Sequence, residues 1–208
     1  MTPVFAAKSV TAAANTAFNV LVPAIPNMIP RITNIIYTSS TTAHTLTVMR
    51  TSASTTAAAR AASGQKVVEF TDTGAMNTVD DDSAEIVAAN DFIVFQDEFG
   101  RQHVDFVASV SGNNVTMTVN LPGNVAVGAP IWILGELARA SVLTFTPPVS
   151  ATTGLGMMCQ GGIPGQANTQ SRTGAGDPIV VYSNNATAAG ILVTVTGYYA
   201  DSGDVTML

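Results

Sequence analysis

The chain has 208 residues, and only 11% of them are charged, against roughly a quarter in an ordinary soluble domain. That length suits one large β domain or two small ones, and it can bury a core without disulfides or metal. The net charge of -6 and the single cysteine argue against a basic nucleic-acid groove and exclude an internal disulfide.

The opening "MTPVFAAKSVTAAANTAF" lacks the charged start and apolar run of a secretory signal. No stretch reaches the ~18–20 apolar residues that cross a bilayer. The expectation is a soluble chain made in a cytoplasm, without a membrane partner. Period-two alternation then dominates. Residues 17–25, "AFNVLVPAI", read as a strand that Pro23 ends or places at an edge. Residues 31–39 and 44–50 read as a hairpin across "STTA". Residues 52–63, "SASTTAAARAAS", are the one plausible helix, with Ser52 or Ser54 as cap and Gly64 as stop, or else a loop. "KVVEF" at 66–70 is another strand.

From 71 to 89 the composition turns acidic and strand signals stop. Then come "DFIVFQD", a turn at "EFG", and "RQHVDFVASV", followed by "VTMTVN" and "PIWIL", with turn residues at every break. Alternation puts Val104, Phe106, Ala108 and Val110 on one face, and Val115, Met117 and Val119 on another. Residues 141–147 form a strand, and 149–177 are rich in Gly, Gln, Ser and Thr. The last strands lie at 178–184 and 190–201, and the apolar run Ile179, Val180, Val181, Tyr182 suits a strand buried on both sides.

The expected fold is all-β: a jelly-roll-like β-sandwich from both chain ends, 1–70 and 138–208, with a small β-barrel inserted at 71–137. Its inner faces draw on Phe18, Val20, Ile32, Ile36, Leu46, Val48, Phe145, Val181, Val193 and Val195.

Chemistry is sparse. Two separated histidines, His44 and His103, and one cysteine, Cys159, fall short of the three or four converging ligands of a zinc site. No "GxSxG" elbow occurs. The glycines of "GLGMMCQGG" and "RTGAGDP" lack the strand-before, helix-after context of a phosphate loop. Asp80, Asp81, Asp82 and Glu85 supply oxygens for calcium but not the EF-hand spacing, and they read first as a solvated run. The sequons at Asn114 and Asn185 mean little without a signal. Trp132 points away from Ile131 and Ile133, either to cap the barrel or to line a contact surface, and Tyr198, Tyr199 and Trp132 are a thin basis for a glycan platform. The expectation is no enzyme, no cofactor and no metal.

Charge is unevenly placed. Residues 1–68 hold five basic groups and no acid, whereas 69–105 hold ten acids and one base. Such blocks are either solvated faces or a sign that the N-terminal part meets an acidic surface.

The segment "NDFIVFQDEFGRQHVDFVASVSGNNVTMTVNLPGNVAVGAPIWI" resembles a small β-barrel of tailed-bacteriophage virion proteins. "LTFTPPVSATTG" and "DPIVVYSNNATAAGILVTVTGYYAD" are similar in style to the outer sheet of phage head-decoration, cement and fibre proteins. The resemblance implies a capsid decoration protein that sits on the virion surface and binds the major capsid protein through many weak contacts. It also implies self-association, as a homotrimer on a local three-fold. Lys8, Arg31, Arg50 and Arg60 become the candidate shell contacts, with the acidic insert facing outward. The alternative is a receptor- or glycan-binding module of a tail or head fibre, which exposed aromatics around a cleft would favour.

Overall fold

The computed structural model describes residues 4–11, 18–37, 45–74, 77–78, 87–134, 141–145, 155–164, 176–183 and 192–201. These residues are all-β, as expected. The strands are β1 (Val4–Thr11), β2 (Phe18–Val22), β3 (Met28–Tyr37), β4 (Leu46–Arg50), β5 (Ala53–Thr56), β6 (Val67–Glu69), β7 (Asn77–Thr78) and β8 (Phe92–Gln96). They continue with β9 (Gln102–Ser111), β10 (Asn114–Met117), β11 (Pro130–Ile133), β12 (Ser141–Phe145), β13 (Leu155–Pro164), β14 (Ile179–Ser183) and β15 (Leu192–Asp201). Among the described residues no helix is long and apolar enough to cross a membrane.

The chain divides into two compact units. The sandwich unit takes Met1–Arg50, Ser141–Ala167 and Pro178–Leu208; the insert unit takes Thr51–Ala140 and Asn168–Asp177. The expected insertion at 71–137 is therefore widened at its start by the twenty residues 51–70, which carry β5 and β6.

In the sandwich unit two four-stranded sheets run β1-β15-β3-β13 and β12-β4-β14-β2, with every pair antiparallel. Taken in chain order, the eight strands nest. The first pairs with the last (β1, β15), the second with the seventh (β2, β14), the third with the sixth (β3, β13) and the fourth with the fifth (β4, β12). That nesting is the ribbon of a jelly roll. One core joins the sheets: Val20, Val22, Leu46, Val48, Ile179 and Val181 from one, Ile32, Ile35, Tyr37, Val193, Val195 and Tyr199 from the other. Buried aliphatic side chains of this size each contribute about 1.5–3 kcal/mol. The insertion leaves from β4 and returns at β12, where Met49 pairs with Ser141, so the chain departs and comes back at adjacent points.

Two local expectations change. Strands are present within both expected ranges, but β3 and β4 belong to opposite sheets and do not form a hairpin. In a jelly roll each strand pairs with one far away in sequence, and the short link becomes an arch between sheets. Ile36 was expected inside and is 41% exposed, while Ile35 is fully buried. The reason is a bulge: Thr196 pairs with Asn34 and Gly197 with Ile32, so Thr33 is the extra residue. One extra residue reverses which side chains face the core. The Thr33 hydroxyl holds the bulge by donating to the Thr196 carbonyl at 3.3 Å. Phe18 and Phe145 lie on β2 and β12, and their side chains are outside the described set. β1 and β13, both edge strands, carried no sequence signal strong enough to expect them.

In the insert unit one seven-stranded sheet runs β6-β10-β9-β8-β11-β5-β7 and curls. The chain beyond β5 reaches back to β6: Ala57 bridges Phe70, Ala58 N donates to Glu69 O, and Thr71 N donates to Thr56 O. The interior is filled by Phe70, Ile93, Phe95, Val107, Val115, Met117, Val125, Ile131 and Ile133, with small residues Ala53, Ala57 and Ala61. The segment expected as a helix, 52–63, supplies β5 and those three alanines. Thr55 and Thr56 suit a strand, and pairing of Ala53–Thr56 with β11 overrides a weak helical preference. The face expected to be shared by Val104, Phe106, Ala108 and Val110 on β9 is broken, with Val110 still packed against the core. Val107 is buried and Ala108 exposed, because the β10 pairing skips from Ser109 to Val107. Val119, expected to share a face with Val115 and Met117, is 56% exposed.

Candidate functional site

Within the insert unit, polar chemistry gathers at the β8–β9 turn and the loops beside it. Asp97 directly follows β8, and its side chain is fully buried. Its Oδ1 accepts from the backbone N–H groups of Phe99 and Arg101, both at 2.9 Å. Its Oδ2 accepts from Arg101 Nε at 2.8 Å and contacts His103 Nε2 at 3.0 Å. Burial alone would push this carboxyl up; the bonds from His103, Arg101 and Phe99 outweigh it and hold it at about 2. Gly123 makes the space, since a Cβ there would lie 2.8 Å from Asp97 Oδ2.

The neighbouring loops are tied to this turn. Glu98 N donates to Asn124 O at 2.8 Å, and the Asn124 amide donates to the Glu98 carboxylate. Asn124 Oδ1 accepts from Ser63 N at 2.9 Å. Arg60 pairs with Glu98 at 3.3 Å. The Asn124 bond is the main reason the Glu98 carboxyl is held below its ordinary range, with Arg60 adding to it. At the tip, Phe99 is 74% exposed and the Arg101 guanidinium carbon lies 5.3 Å from its ring centroid.

Two more aspartates do similar work. Asp91 Oδ2 accepts from Ala88 N at 2.7 Å, closing the turn before β8. Asp105 accepts from Phe106 N, from the Thr118 hydroxyl and from Val119 N, which pins the end of β10 to β9. Three acids of the block first read as a solvated face are thus buried turn-holders. "Asp-aliphatic" ahead of a strand and "Asp-x-Phe-Gly-Arg" at a turn were the available signals, because a short carboxylate can cap backbone N–H groups two and four residues on.

The arrangement positions backbone; nothing in it pairs a nucleophile with a base. Among the described residues no three His, Cys, Asp or Glu side chains gather to hold a metal ion. His44 and the acidic run from Asp80 to Glu85 lie outside the described residues, and Cys159 lies on β13.

The candidate shell contacts are dispersed. Lys8 is on β1 at the register position of Val195, and Arg31 is on β3 opposite Tyr198, so both belong to one sheet. Arg50 ends β4 in the other sheet, and Arg60 is in the insert unit, paired with Glu98. Trp132 does face away from Ile131 and Ile133, but it is buried rather than on a contact surface, and its Nε1 donates to Gly176 O at 2.7 Å. Tyr199 is buried as well; its hydroxyl donates to Pro23 O at 2.7 Å, and burial pushes it up to about 12. The glycan platform of Tyr198, Tyr199 and Trp132 is not formed.

No family model and no curated protein matches the chain. Among solved structures there is a likeness to the infectious bursal disease virus VP2 subviral particle, with 13% identity over 93% of this chain and 41% of that one. Its TM-score is 0.14, too low to bear on fold or function.

Proposed function

We propose that this chain is a virion structural protein of the head-decoration or cement type, binding the outer surface of a shell built from a major capsid protein. The observation that carries the reading is the split of charge between the units. The jelly-roll unit holds three bases and two acids; the insert unit holds five bases and twelve acids. A nearly uncharged sandwich suits broad packing against protein, and a unit of net charge -7 suits solvent. Jelly rolls serve both capsid and lectin roles. The lectin-like alternative draws no support from Trp132 and Tyr199, whose rings are turned inward. In this reading Lys8, Arg31 and Arg50 remain shell contacts, Arg60 is a weaker candidate because Glu98 already holds it, and the copies associate as a homotrimer.

The test is co-sedimentation with empty heads of the source virus across a salt series. Binding that weakens with salt and is lost in the double variant Arg31→Glu, Arg50→Glu supports docking through the sandwich unit. Folded protein that never sediments with heads overturns the reading.

A further inference from the structure

We draw no further inference here: the strongest candidate, the exposed tip of the β8–β9 turn in the insert unit where Phe99 and Arg101 meet, is a surface patch, and nothing in the structure shows what covers it.

Discussion

The sandwich unit and the insert unit are held by different physics. Between the sandwich sheets lie aliphatic side chains and Tyr37 and Tyr199, and the Thr33 and Tyr199 hydroxyls donate to backbone carbonyls. The insert unit has a core as well, but its turns rest on buried carboxylates: Asp91, Asp97 and Asp105. Area burial is insensitive to pH, whereas a buried carboxylate stabilises only while ionised. Acidity is therefore a structural requirement of one unit and nearly absent from the other.

The largest effect should come from the apolar side. Ile35→Ala, at a fully buried position between the sheets, should cost about 4 kcal/mol, equally at pH 3 and pH 7, by denaturant unfolding. A marked pH dependence of that cost would break the contrast. Next is Asp97→Ala, expected to cost about 3 kcal/mol at pH 7, because two backbone N–H groups and a guanidinium lose their acceptor. The Asp97 carboxyl sits at about 2, below the ordinary 3.8, so its contribution is complete above the ordinary value and disappears as pH falls through about 2. The penalty of Asp97→Ala should shrink correspondingly in acid. Trp132 is the only tryptophan and lies in the insert unit, so its fluorescence reports the right region.

Gly123→Ala should cost about 2 kcal/mol, since its Cβ would press on the Asp97 carboxylate. In the Asp97→Ala background most of that cost should vanish; simple additivity in the double-mutant cycle would refute the close approach. The smallest effect belongs to Arg60→Ala. This solvent-screened pair with Glu98 should contribute little to stability, and less in high salt. A large loss would mean that the loop ties through Glu98 and Asn124 depend on the ion pair.

Much of this was readable from alternation. Val20, Ile32, Leu46, Val48, Val181, Val193 and Val195 were expected inside, and all are buried. The β8–β9 hairpin was legible from "DEFG", and the buried run Ile179 to Tyr182 from its composition. Ile36 and the face of β9 were not, because a single bulge at Thr33 or at Ala108 inverts parity for every residue beyond it. The three buried aspartates were misread as solvated, since a carboxylate that caps backbone and one that meets water look alike without their partners.

Sequence alone determined that this is an all-β chain and which side chains are apolar enough to build its cores. Periodicity and turn chemistry are local, so one strand suffices to show them. Only the tertiary structure decided the partners: β4 with β12, β1 with β15, Trp132 with Gly176, Asp97 with the space left by Gly123. Those pairings join residues far apart in the chain, and their energy depends on where other strands already lie.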